Sequence, residues 1–116
     1  MRLAKADAPA PPKGAMQPLV DGLLAARPEL RGVALVDSAG LPLASGGDEA
    51  GTARQAGAAA DLGALEGELM LVEGEHGCLL LHRWSESITA VLLLRDAHNL
   101  GGVLAEARRC AGLLGR

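Results

Sequence analysis

His76, Cys78 and His82 come nearest, by type and spacing, to a chemical site in this chain. Each is a zinc ligand by type, and on an extended strand all three side chains share one face. A structural zinc takes four ligands, however; only three are present, and Leu80 stands between them on that face. The arrangement reads as a turn histidine and a buried thiol, so no metal or other cofactor is expected. Cys110 follows Arg108 and Arg109, and a nearby guanidinium would favour a reactive thiolate. Consecutive helix residues point in different directions, so packing is its expected role. Asp37 and Asp61 are acids that nothing brings together, and Asp37 suits the turn it precedes. No serine elbow, dinucleotide fingerprint or metalloprotease histidine pair occurs. The only lysines are Lys5 and Lys13. Schiff-base chemistry and a phosphate-cradling Walker loop are therefore absent from everything after Gly14. The chain is not expected to be an enzyme.

Composition points the same way. The 116 residues make one domain, large enough for a core without disulfide or metal staples. Apolar residues make up 49% of the chain, yet Phe and Tyr are missing and Trp84 is the single tryptophan. The core must be Leu, Val and Ala, which suits thin, closely packed layers. A net charge of −3 opposes phosphate neutralisation, and without aromatics there is no platform for stacking bases. Nucleic acid is thus not an expected partner. No apolar run reaches the ~18 residues of a membrane span, and the first residues lack the apolar stretch of a signal peptide. With two widely spaced cysteines, the expected setting is the cytoplasm.

The elements that must position any functional residue can be read in order. Residues 1–14 carry Pro9, Pro11 and Pro12 among Ala, Lys and Asp, and are expected to form a flexible arm ahead of a single domain over 15–116. A helix over about 16–27 buries Met16, Leu19, Val20, Leu23 and Leu24, with Pro18 in its first turn and Pro28 at its stop. A hairpin follows, Gly32–Asp37 and Leu41–Ser45. Pro42 cannot donate a ladder bond, which places the second strand at a sheet edge. Asp48 is the expected cap of an Ala-rich helix over 49–65, interrupted by Gly51, Gly57 and Gly63. Each interior glycine costs about 1 kcal/mol against Ala, so this helix needs packing to hold it. Strands over 68–73, 78–84 and 87–95 follow. The runs Leu79–Leu81 and Val91–Leu94 are continuous rather than alternating, the pattern of strands covered on both faces. A last helix over 99–114 starts at Asn99 and carries Arg108 and Arg109 toward its C-terminal half.

Three passages on this frame carry a resemblance: Pro28–Ser45 as a first hairpin, Val72–Leu81 as a strand-turn-strand, and Asn99-Leu-Gly with Glu106–Arg109 as a final helix. In their order and spacing they resemble the roadblock/dynein-light-chain family, including its bacterial gliding-regulator MglB branch, over most of residues 16–115. The resemblance implies an α+β (α/β) roadblock, or profilin-like, sandwich. Its five-stranded antiparallel sheet runs in the order 2-1-5-4-3, with two helices on one face and the middle helix on the other.

That order leaves the third strand at an edge. Leu69, Met70, Leu71 and Val72 are apolar and include no proline or lysine to discourage pairing. Members of the family pair this edge with its copy. A homodimer is therefore expected, through Leu69–Val72 and through Ala53, Gly57 and Ala60 of the middle helix, which would meet its twin. The polar positions Arg54, Gln55 and Asp61 are candidates to contact a partner, and resemblance to MglB implies a Ras-like small GTPase that the module regulates or scaffolds. Two other readings stay open: a profilin-like domain that senses a small molecule, and a passive structural subunit. A sensor would want aromatic and polar groups converging on a cavity, and the aliphatic composition is poor in them.

Overall fold

The computed structural model describes residues 13–60, 68–75, 77–96 and 98–114, with side chains from Met16 onward. Its elements are α1 (Lys13–Ala26), β1 (Leu30–Val36), β2 (Pro42–Gly46), α2 (Ala50–Ala59), β3 (Leu69–Gly74), β4 (Gly77–Ser85), β5 (Ile88–Leu94) and α3 (Leu100–Leu114). The strands form one antiparallel sheet in the order β2-β1-β5-β4-β3. The order expected from the resemblance is the one observed.

The continuous apolar runs are explained by a core on each face. Val33 and Leu35 of β1, Leu80 of β4 and Leu92 and Leu94 of β5 meet Met16, Val20 and Leu23 of α1 and Val103, Ala107 and Cys110 of α3. The alternate residues, Ala34, Val36, Leu81 and Val91, meet Ala53 of α2 on the other face. Period-two alternation thus feeds two apolar layers instead of one apolar and one wet face.

The second core is thin because α2 lies almost on the sheet. Ala53 and Gly57 are fully buried beneath it. A Cβ on Gly57 would come 2.9 Å from Val36 Cγ1 and 3.2 Å from Val91 Cγ2. At the start of α2 the contact is backbone to backbone: a Cβ on Gly32 would stand 2.5 Å from the Glu49 carbonyl oxygen. Glu49 N–H donates to Arg31 O at 2.8 Å, and its carboxylate pairs with the Arg31 guanidinium. Small residues are what allow this approach.

Three local expectations change. Helix α1 begins at Lys13, ahead of both the expected helix start at 16 and the arm boundary at 14. Pro18 therefore lies beyond the first turn and forgoes a bond to the Gly14 carbonyl; its exposed ring has no core to disturb. The cap position of α2 is Glu49, not Asp48, and its side chain serves the Arg31 pair rather than the helix end. Helix α2 ends at Ala59, so the expected continuation over 61–65 lies outside the described residues. Asn99 does precede α3, where its carbonyl accepts from Val103 N–H at 3.1 Å, while its side-chain amide donates to Glu29 Oε2 at 2.6 Å. Asp37 does what its type predicts. Its Oδ1 accepts from the Ala39 and Leu41 N–H groups, both at 2.9 Å, which closes the β1–β2 turn around Gly40 at φ 85°.

Candidate interaction surface

Strand β3 pairs with β4 along one side, from Leu69↔His82 to Gly74↔Gly77, and among the described residues nothing pairs with its other side. All six of its residues are exposed. Leu69, Met70, Leu71 and Val72 keep 37, 43, 38 and 48% of their surface in solvent, so the strand projects past the helical layers on both faces. Cross-strand partners share a face, which sorts these side chains. Met70 and Val72 sit opposite Leu81 and Leu79 on the α2 side, and Leu69 and Leu71 sit opposite His82 and Leu80 on the α1/α3 side. Four consecutive exposed apolar residues on an unpaired edge are unstable as a free surface, through both wet apolar area and unpaired peptide groups.

Helix α2 stops short of this edge. It packs on β1, β2 and β5, leaving beyond it a groove of about 320 Å³. Thr52 forms its helix wall, Val72, Leu79 and Leu93 its floor, and the Arg31–Glu49 pair closes one end. The groove runs into the open edge, so the two are one surface.

The opposite edge carries a proline and contacts from both helical layers. Strand β2 starts at Pro42, one residue after the expected start at Leu41, and lies at the sheet edge that Pro42 predicts. The outward Ser45 carbonyl accepts from Gln17 Nε2 of α1 at 2.9 Å, and Ser45 Oγ accepts from Arg54 Nη1 of α2 at 2.8 Å. A helix side chain from each layer thus occupies this rim. Among the described residues, no such helix contact reaches the outer side of β3.

A polar network fixes where β3 begins. His82, buried on β4, accepts at Nδ1 from Trp84 Nε1–H at 2.9 Å. Its remaining proton therefore sits on Nε2, which donates to Glu68 Oε2 at 3.0 Å. Arg108 of α3 reaches Glu68 Oε1 at 3.4 Å, and Arg83 N–H donates to the Glu68 carbonyl at 2.8 Å. The bond from His82 and then that from Arg108 hold the Glu68 carboxyl below the ordinary carboxylate range. Sequence reasoning missed this network. The alternation of His82 and Trp84 on one strand was a legible signal, but nothing announced the contact from α3.

These contacts also settle what the chemical candidates do. Cys78 and His82 share a face as expected, but both His82 ring nitrogens are engaged by Trp84 and Glu68; His76 lies outside the described residues. Burial, the largest influence, pushes both the Cys78 and Cys110 thiols up, away from the thiolate that nucleophilic chemistry needs.

The expected interface residues divide. Leu69, Met70, Leu71 and Val72 stand together on the open edge. Ala53 and Gly57 do not belong with them: both face the sheet of their own chain, and no partner helix can reach them. Ala60 is half-buried at the end of α2, against the same core. Arg54 and Gln55 are exposed on α2, with Arg54 tied back to β2. Asp61 lies outside the described residues. Thr52, which sequence reasoning passed over, is the α2 residue that faces the groove.

A five-stranded antiparallel sheet in this order, with α1 and α3 on one face and α2 on the other, is the roadblock/LC7 fold. A Roadblock/LC7 domain from Streptomyces avermitilis is similar with a TM-score of 0.70 and 21% identity, over 84% of this chain and 96% of that one. MglB of Myxococcus xanthus is similar with a TM-score of 0.74 and 16% identity, over 97% of this chain and 91% of that one. An MglB in a tetrameric arrangement is similar with a TM-score of 0.64 and 22% identity, over 98% and 93%. No protein-family model matches the chain, and no curated protein sequence does. The likeness is one of fold.

Proposed function

We propose that this chain is a non-catalytic interaction module that pairs with a second copy through β3 and offers the α2 side of the joined sheet to a Ras-like small GTPase. The observation that carries the reading is the open β3 edge, apolar on both faces, opposite a β2 edge that its own helices close. A chain that pays for one exposed edge and blocks the other has a use for the first. Similarity to an MglB found in a tetrameric arrangement supports self-association, and similarity to the MglB branch supports the GTPase. Buried, protonated thiols and a histidine with both nitrogens bonded support a role in binding rather than in catalysis. Among the described residues no helix is long and apolar enough to cross a membrane.

Exposed Arg54 and Gln55 are the α2 residues assigned to the GTPase. The test is a pull-down with candidate Ras-like GTPases loaded with GDP or with a non-hydrolysable GTP analogue. The expected result is capture that depends on the nucleotide and is lost in Gln55→Trp, which remains a dimer. Equal or absent capture across both nucleotide states would refute the GTPase assignment.

A further inference from the structure

His82 is buried, bonded at both ring nitrogens, and used by neither the open edge nor the groove. Its two bonds respond oppositely to a second ring proton. The Trp84 indole N–H donates and cannot accept, so Nδ1 must present its lone pair and the ring is neutral in this structure. A proton taken up at Nδ1 sets two N–H groups against each other across 2.9 Å. Toward Glu68 the effect is reversed. Nε2–H donates in both states, and an imidazolium is the stronger donor to a carboxylate. Protonation therefore breaks the bond to Trp84 and tightens the one to Glu68.

The sheet decides which ring moves. His82 is paired on both sides, with Leu69 of β3 and with Ala90 of β5. Trp84 is not. Arg83 pairs with Thr89 and Ser85 with Ile88, which leaves Trp84 as the extra residue of a β-bulge. A bulged residue stands outside the ladder, so its side chain can be re-aimed without breaking strand pairing. Its indole is also only partly buried, packed against the α1/α3 core. His82 is walled in, and Trp84 is free to swing.

The surroundings allow His82 to carry charge. Among the described residues, the charged groups facing it are Glu68, from the start of β3, and Arg108, from α3. In the same layer β5 and α1 present apolar residues, α3 adds the Cys110 thiol and β4 the Cys78 thiol, and burial keeps both thiols protonated. The Glu68 carboxyl is held below the ordinary carboxylate range, so it stays ionised to receive an imidazolium as the pH falls.

We propose that His82 and the Trp84 bulge form a proton-operated latch: neutral His82 holds the indole against the α1/α3 core, and protonated His82 releases it while keeping Glu68. The direction follows from the donors and acceptors, held at higher pH and released at lower. Strand β3 stays anchored in both states, because Glu68 keeps its contacts to His82 and Arg108. The latch belongs to a single chain and does not depend on the pairing through β3.

The experiment is a pH titration of the full chain by fluorescence. With one Trp and no Tyr or Phe, the intrinsic emission comes from Trp84 alone. Emission wavelength and acrylamide quenching are read beside the far-ultraviolet circular dichroism. A reversible red shift with increased quenching is expected on acidification, complete before the helix signal falls. Gln can mimic the neutral ring, its amide oxygen accepting from Trp84 and its NH2 donating to Glu68. His82→Gln is therefore expected to lose the step and keep the unshifted emission wherever the helix signal persists. Glu68→Gln removes the charge that favours an imidazolium, and is expected to keep the step but move it to lower pH. Emission that changes only together with the helix signal, or a step of unchanged midpoint in His82→Gln, overturns the latch. If His82→Gln does not fold, the ring-nitrogen resonances of the native chain, labelled in histidine, decide. One histidine is expected to lack a proton on Nδ1 at high pH and to gain it across the fluorescence step. No histidine titrating across that step, or one carrying the Nδ1 proton throughout, contradicts the proposal.

Discussion

At the scale of single residues, the glycines separate into those that packing demands and those it does not. Gly32 stands against the Glu49 carbonyl, and a methyl group there must displace backbone. Gly22, in the middle of α1, has open space where a Cβ would be. Gly32→Ala is therefore expected to destabilise by about 1–3 kcal/mol, the ordinary range for overpacking. Gly22→Ala is expected to stabilise by up to about 1 kcal/mol, because alanine has the better helix propensity. Urea midpoints of the two variants check both signs. Glu68 gives a prediction in pH. Its folded carboxyl is held below the ordinary range, so its contribution is full at neutral pH and is lost as acidification carries the pH down through the lowered value. Glu68→Gln should flatten that part of the acid limb in urea midpoints measured against pH. An unchanged limb would place the acid sensitivity elsewhere, with Glu29, likewise held low, as the next residue to substitute.

At the scale of elements, the sequence was most legible where one residue type allows only one arrangement. Pro42 cannot complete a ladder, and β2 is an edge; Asp37 precedes a tight turn, and its carboxylate closes that turn. Unbroken runs of leucine and valine marked strands buried on both faces, and β1, β4 and β5 feed two cores. The middle helix was the least legible. In a segment that is nearly all Ala and Gly, no large side chain marks the inner face, so the phase of α2 is set by what lies beneath it. Val36 and Val91 leave room only for Gly57, and the close approach to the sheet takes Ala53. That is why both turned out to be core residues rather than interface residues. The Glu68–His82–Trp84 network, with Arg108, was illegible for another reason: it joins β3, β4 and α3 across a separation that no local pattern records.

At the scale of the whole molecule, the asymmetry of the sheet is the central fact. One rim is blocked by Pro42, Gln17 and Arg54, and the other carries four exposed apolar residues with its peptide groups free among the described residues. Under the proposed pairing, two copies joined through the open rim each present only the rim that Pro42, Gln17 and Arg54 occupy, so a closed dimer rather than a growing ribbon is expected. Sedimentation equilibrium at tens of micromolar tests this most directly, on the native chain beside Val72→Lys, which sets a charge in the apolar seam. Twice the chain mass of 11.8 kDa is expected for the native protein. The lysine variant should associate at least about tenfold more weakly, a loss of about 1.4 kcal/mol or more. A native chain that sediments as a monomer, or a lysine variant as tightly dimeric as the native one, would contradict the account.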